Sequence, residues 1–304
     1  MASVSLGGLV AMELDASALT GTTVDISVLL PTRGRGKLAE RSLLSLIDRA
    51  KDNTRIEYRI ALDNDDKESV DYFDKTVMPA FKERDLNFVI VTTPPIGYQR
   101  LNEYVNYLGK YAQGRWLMFW NDDAIMETDH WDEIVATHTD KFRVLRMQEQ
   151  TEHPYAIFPI VPKEWYYLLG TLSTHQMSDA QISQIGYMCN IVENIDVHCT
   201  HDRFDLTGNN NDETYNNRPQ LEGNPENPKD LNSPQTAQGR FEQAIRIMWY
   251  LNKIGDGNDH LQNSLQHGED LWKYLKANDP NGHTSRYSVD KETGKQVLKS
   301  NEDE

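Results

Sequence analysis

Apolar and polar positions divide the first 123 residues into short buried runs that alternate with amphipathic stripes. Residues 24–30 form a nearly unbroken apolar run that stops at Pro31-Thr32-Arg33-Gly34-Arg35-Gly36, the composition of a turn and helix entry. Leu38, Ala39, Ser42, Leu43, Leu46, Ile47 and Ala50 then recur at the spacing of one helix face. Residues 55–62 read as a second strand, closed by Asp63-Asn64-Asp65-Asp66. A helix over 67–84 is expected to be interrupted near Pro79, which lacks the amide that a helix interior uses. Residues 87–92 are a third strand. Leu101, Tyr104, Val105, Leu108 and Ala112 make the next helical stripe, and the fourth strand, 116–120, runs into Asn121-Asp122-Asp123.

That alternation predicts an α/β fold: a mostly parallel central sheet with helices on both faces. Ligands of such sheets bind outside the carboxyl ends of the strands. Three of those ends carry polar clusters, at 31–36, 63–66 and 121–123, so segments distant in sequence are expected to converge on one rim. Beyond residue 124 the pattern changes. A helix is expected at 129–137, strands at 156–161 and 194–199, and between them a helix at about 179–192. Ser178 and Gln181 have the spacing of a capping box at its start. Residues 207–236, dominated by Asn, Asp, Gly, Pro and Gln, read as a long loop. Residues 237–276 read as a C-terminal helical extension with Phe241, Ala244, Ile245, Met248 and Leu251 on one face. Residues 1–23 are expected to be a flexible leader and 277–304 a polar tail.

Charge narrows the function classes. A formal net charge of −16 argues against an extended, non-specific grip on nucleic acid, which works by neutralising phosphates with Lys and Arg. It leaves room for a small basic site that holds one nucleotide, and nucleic acid as an acceptor is disfavoured without being excluded. The two cysteines, Cys189 and Cys199, lie outside any C-x-x-C pair, so a reducing, cytoplasmic setting without disulfides is expected. No apolar run approaches the roughly 18 residues of a membrane span.

Three clusters carry candidate chemistry. Asp122 and Asp123 directly follow an apolar strand, where an unpaired buried charge would be costly. A divalent cation bridging a diphosphate would satisfy both, and hard oxygen ligands suit Mg2+ or Mn2+; solvated turn acids are the bland alternative. Arg33 and Arg35 oppose the dipole of the helix they precede, so two cations there need another reason, such as phosphate oxygens. Asp63 and Asp65 could accept hydrogen bonds from a base or ribose. Calcium binding by this string lacks the EF-hand loop pattern.

The stretch from Ile26 to Arg35 (ISVLLPTRGR), the acidic end of strand two, Gly97-Tyr98-Gln99-Arg100-Leu101-Asn102 and GRWLMFWNDD at 114–123 together resemble family-2-type glycosyltransferases of GT-A fold, over about residues 24–210. The resemblance implies a catalytic domain at 24–236, with a nucleotide-binding half at 24–123 and an acceptor half at 124–236. It implies that Pro31, Thr32, Arg33 and Asp63 hold the nucleotide and that Arg100 and Asn102 approach the diphosphate or ribose. The D-x-D element falls on Asn121-Asp122-Asp123, with Asn in the first acidic place. This puts the weight of metal binding on Asp123 and leaves Asp122 for ribose or metal. The family's catalytic carboxylate at a helix start falls on Asp179, which would act as general base; Glu152 and Glu164 are rivals. A late histidine completes the metal site in many such enzymes. His201 matches better than His198, and an imidazole ligand favours Mn2+. TGNNNDETY at 207–215 would be a lid over the donor. The implied activity is metal-dependent transfer of a sugar from a nucleoside diphosphate donor, expected to be a UDP-sugar, to an unidentified acceptor hydroxyl, with inversion. The alternatives are a nucleotidyltransferase and a non-catalytic sugar- or calcium-binding relative.

Overall fold

Eight strands form one sheet: β1 (Ile26–Thr32), β2 (Ile56–Asp63), β3 (Asn87–Thr93), β4 (Trp116–Phe119), β5 (Ala124–Met126), β6 (Val144–Glu149), β7 (Ile160–Pro162) and β8 (Val192–His201). A computed structural model of the chain describes residues 23–138, 140–151, 153, 155–216, 231, 233–256, 287–289 and 296–298. The order across the sheet is β3-β2-β1-β4-β7-β6-β8-β5. Six strands run the same way; β7 and β5 oppose them. The sheet is therefore mostly parallel, with its two reversals in the second half, where the hydrophobic pattern changes.

Ten helices follow in chain order among the described residues: α1 (Gly36–Arg49), α2 (Lys67–Tyr72), α3 (Met78–Glu83), α4 (Leu101–Lys110), α5 (Trp131–Ala136), α6 (Lys163–Leu169), α7 (Ser178–Met188), α8 (Phe204–Thr207), α9 (Glu213–Asn216) and α10 (Pro234–Ile254). Alternation along β1 assigns the two faces. Ile26, Val28 and Leu30 pack with Leu43, Leu46 and Ile47 of α1 and with Trp131 of α5. Leu29 packs with Tyr104, Val105 and Leu108 of α4, in a cluster that also holds Trp165 of α6, Ile182 and Ile185 of α7, and Ile247 and Met248 of α10. Strands β1 and β2 are covered on both sides; β1 is largely apolar, whereas β2 buries Glu57 and Arg59, which pair with each other at 2.6 Å.

Several boundaries differ from expectation. The helix over 67–84 is continuous, but one wide turn at Phe73–Val77 precedes Pro79 and absorbs the bond that its ring forbids. Strand β5 and strand β6 were not expected. The first has three residues, and Arg146 and Gln148 dilute the second. The segment 156–161 contributes only Ile160–Pro162, because Ala156 donates its amide to Ser183 Oγ instead of to a neighbouring strand. Helix α7 stops at Met188, and Asn190 in left-handed conformation turns the chain into β8. Helix α10 starts at the Ser233 cap and stops at Gly255, so 257–276 of the expected extension lies outside the described residues. So do residues 1–22, 217–230 and most of 277–304, of which Tyr287–Val289 and Gln296–Leu298 pair as antiparallel strands. Cys189 and Cys199 are both free and buried, and burial pushes their thiols up, which leaves them unreactive. Among the described residues no helix is long and apolar enough to cross a membrane.

Candidate active site at the strand ends

The carboxyl ends of β1, β2 and β4 and the starts of α4 and α7 open onto one cleft of about 1450 Å³. A single small ligand typically fills roughly 300–1,000 Å³, so the cleft has room for more than one. Pro31, Thr32, Arg33 and Arg35 line it from the β1–α1 turn, and Asp63 and Asp65 from the end of β2. Arg100 and Asn102 enter at the start of α4, Asp122 and Asp123 after β4, Asp179 in the first turn of α7, and His201 at the end of β8. These twelve candidates line the same cavity, whereas Glu164 and His198 are not among its lining residues.

Its floor is the acid pair. Thr32 Oγ1 donates to Asp122 Oδ2 at 2.7 Å, and Arg35 donates to Asp122 Oδ1 at 3.0 Å and to Asp123 Oδ2 at 3.2 Å. The rest of the Arg35 fork, Nε and the second amino group, binds the two oxygens of Asp212 at 2.7 Å each. Burial and the adjacent Asp123 push the Asp122 carboxyl up. Burial also opposes ionisation of Asp123, yet His201 and Arg35 outweigh it and hold that carboxyl low. Asp123 is therefore the stronger acid of the pair.

The supports of this floor come from distant segments. Ser42 receives Trp120 Nε1 at 2.8 Å and donates to the Asn121 carbonyl at 2.8 Å, which fixes the turn. The Asp202 amide donates to the Asp123 carbonyl at 2.7 Å. Gln150 clamps His201 through its side-chain amide, donating to the His201 carbonyl at 2.7 Å and accepting from its amide at 2.9 Å. The imidazole lies edge-on against Phe158, with ring centres 5.0 Å apart.

Arg33 spans Asp63, at 2.8 Å, and Asp65, at 3.0 Å from its second amino group. Asp63 also accepts from the Tyr104 hydroxyl, which itself receives the Ile96 amide at 2.9 Å. Burial and the Asp63 hydrogen bond push the Tyr104 phenol up to about 12. Between the two arginines Gly34 sits at φ +68°, a conformation that favours glycine, and its amide donates to Asp66 Oδ2 at 2.6 Å. The unfavourable placement of two cations at a helix start is thus offset by acids from three other segments. Arg100 pairs with Glu103 at 2.5 Å, and Asn102 Nδ2 lies 3.4 Å from the Ser173 carbonyl, so both side chains rest on neighbours at the rim.

On the opposite wall, desolvation raises the Asp179 carboxyl, while the Ala180 amide and the charges of Arg203 and His201 favour its ionised form. The expected capping box is absent. Ser178 donates to the His175 carbonyl, and Gln181 instead accepts from Ser173 Oγ at 2.7 Å and the Thr174 amide at 3.0 Å, bracing the turn before Asp179. Glu164 lies at the far end of the sheet, on α6 just after Lys163, whose amide bonds the Arg115 carbonyl; it is no rival to Asp179. Glu152 lies outside the described residues. His198 is half-exposed beside Asp196, away from the cleft. Three partners were not found in the sequence. Arg203, half-buried beside Asp205, projects its charge on both Asp123 and Asp179; the only signal for it was its place next to His201-Asp202. Asp212 was hidden in an Asn-rich loop. Tyr104 read as part of an apolar stripe, which does not report a hydroxyl tip.

Two donor atoms suit a divalent cation. Asp123 Oδ1 is buried, accepts no well-aligned hydrogen bond and lies 3.2 Å from His201 Nε2. That spacing fits two adjacent ligands of one octahedral ion at roughly 2.0–2.2 Å from each. Among the described residues no group of three or more His, Cys, Asp or Glu forms a ready-made cage.

No known family model matches the chain, and no curated protein sequence matches it. In structure it is similar to the mannosyltransferase PcManGT from Pyrobaculum calidifontis, solved in complex with GDP-Man and Mn2+. The TM-score is 0.50, with 12% identity, over 85% of this chain and 84% of that one. S. aureus TarS 1-349 matches at TM-score 0.46 and 14% identity over 92% of this chain and 98% of that chain. GalNAc-T7 with UDP, GalNAc and Mn2+ matches at 0.47 and 13%, over 59% of this chain and 44% of that one. The chain has the GT-A fold.

Proposed function

We propose that this GT-A chain is a glycosyltransferase that moves a sugar from a nucleoside diphosphate to an acceptor hydroxyl, with a divalent cation held by Asp123 and His201. The observation that carries this reading is the meeting of six strand and helix ends at one cleft. An ionised carboxylate, an imidazole and two arginines line one side, and a desolvated carboxylate the other. The PcManGT complex, with its GDP-Man and Mn2+ on the same fold, supports the donor class and the ion.

In this reading Asp63, Tyr104 and Arg33 form the nucleoside end of the cleft, and Thr32, Arg35 and Asp122 lie where the diphosphate begins. A bound Mn2+ or Mg2+ would supply positive charge to the leaving diphosphate. Arg203, whose charge reaches both Asp123 and Asp179, adds to that field. Asp179 accepts the proton of the acceptor hydroxyl as its oxygen bonds to the anomeric carbon. The bond from that carbon to the diphosphate oxygen breaks, and its electron pair leaves with the diphosphate. Attack from the Asp179 wall on a donor anchored at the opposite wall corresponds to a single displacement with inversion. A UDP-sugar is the first donor to test.

A thermal-shift screen of nucleotide-sugars with and without Mn2+ tests the donor class. A ligand at about 100 times its Kd contributes roughly 2.7 kcal/mol to stability, so a true donor raises the melting temperature by several degrees, and more with Mn2+. A flat response to UDP-, GDP- and dTDP-sugars would remove the basis for the assignment.

A further inference from the structure

Arg35 is placed differently from the other cations of the cleft. Its side chain is only 7% exposed, and one fork joins three carboxylates from two parts of the chain: Asp122 and Asp123 after β4, and Asp212 from the segment between α8 and α9. Two carboxylates hold that segment among the described residues. Asp202 holds its first half, accepting from Thr207 Oγ1 at 2.7 Å and Asn209 Nδ2 at 2.8 Å. Its second half is held by Asp212, whose carboxylate takes the Arg35 fork and also caps the Tyr215 amide at 2.8 Å, and by the Tyr215 ring edge-on against Phe204, with centres 5.3 Å apart. The guanidinium therefore serves at once as counter-ion of the acid pair and as anchor of the α9 end.

We propose that Arg35 is an exchangeable counter-ion: a divalent cation entering at Asp123 and His201 displaces its guanidinium from the acid pair and thereby unlatches Asp212 and the α9 end of the segment. This rests on the metal site of the proposed function. The argument is one of charge. Arg35 lies 3.2 Å from Asp123 Oδ2, on the same carboxylate whose other oxygen faces His201. A dication on that carboxylate would stand within a few ångströms of a full positive charge in a poorly solvated site, where repulsion is strong. The guanidinium cannot keep Asp123 and also tolerate the ion. Once it shifts, its paired bonds to Asp212 lose their geometry. The chain's own cation thus sets how tightly metal binds, and metal binding sets how firmly the wall beside the diphosphate is held.

Hydrogen exchange of the peptide spanning 209–216, with Mn2+ titrations by calorimetry, tests this in the absence of any nucleotide. In the wild-type chain Mn2+ is expected to accelerate exchange of that peptide about tenfold, within the usual range for coupled sites. Arg35→Gln is expected to exchange fast without metal and to bind Mn2+ about tenfold more tightly than wild type. Asp212→Asn, at a side chain 34% exposed and so tolerant of change, is expected to exchange fast in both conditions. It keeps the test valid if Arg35→Gln does not fold. Mn2+ binding to wild type with no change in exchange would overturn the proposal, as would an Arg35→Gln affinity equal to or below that of wild type. Absence of Mn2+ binding to any variant would overturn it too. The donor reading would then stand or fall separately, on nucleotide-sugar stabilisation in thermal melts.

Discussion

Replacing Asp179 with asparagine keeps the shape of the side chain and removes its capacity to accept a proton. The carboxylate sits in the first turn of α7, above a turn braced by Gln181, so an isosteric amide leaves the wall in place. General bases typically contribute 10²–10⁴-fold, or about 2.7–5.4 kcal/mol of barrier. Desolvation raises this carboxyl and makes it a stronger base, which points to the upper half of that range, roughly 10³–10⁴. No hydrogen bond joins Asp179 to the acid pair or to Arg33 and Arg35, so the donor KM is expected to change by no more than about twofold. The pH profile gives a second readout. The base works ionised, and its folded-state pKa lies above the ordinary carboxylate value, so wild-type turnover falls as pH drops through that raised pKa, while residual activity of the variant lacks this limb. The assay is initial-rate transfer with saturating Mn2+ and varied donor. A loss in kcat below tenfold, or a change confined to KM, would refute the role.

Three further outcomes follow from particular contacts. Tyr104→Phe removes a hydroxyl bonded to Asp63 and should raise the donor KM roughly tenfold with little effect on kcat, since hydrogen bonds to charged groups contribute about 1.5–3 kcal/mol; saturation kinetics decide it. Gly114→Ala would place a methyl 2.4 Å from the Ser27 amide nitrogen and 2.7 Å from the Ile26 carbonyl carbon. Backbone cannot give way cheaply there, so urea unfolding should show a loss of roughly 3 kcal/mol. Burial lowers His153 from 6.5 to about 4. The folded chain then binds fewer protons than the unfolded one between those values, and stability falls as pH drops through that window; His153→Gln should flatten this slope by roughly 1–2 kcal/mol in pH-dependent melts.

The parallel half of the fold was legible because short strand-like runs alternate with helical stripes, and the ends of β1, β2 and β4 carry polar clusters. Ile26–Thr32 and Ile56–Asp63 needed adjustment by only a residue or two. The second half was harder for a physical reason. Ala124–Met126 is too short to show a period, and Ile160–Pro162 pairs over three residues amid a stretch bonded to side chains. The site candidates were found by type and order, and the rim that gathers them follows from strand direction. Their pairings did not follow. Arg35 with Asp212, separated by 177 residues, and Gln150 with His201 are set by tertiary approach, for which the sequence carries no local mark.

The most direct measurement compares nucleotide-sugar turnover by the wild-type chain and by Asp123→Ala in the presence of Mn2+, across a panel of donors. If Asp123 and His201 hold the ion that draws these walls around a diphosphate, wild type consumes at least one donor and Asp123→Ala is slower by two orders of magnitude or more, roughly the loss expected when a main charge-stabilising group is removed. Equal turnover by the two proteins, or none by either with every donor, would contradict the account.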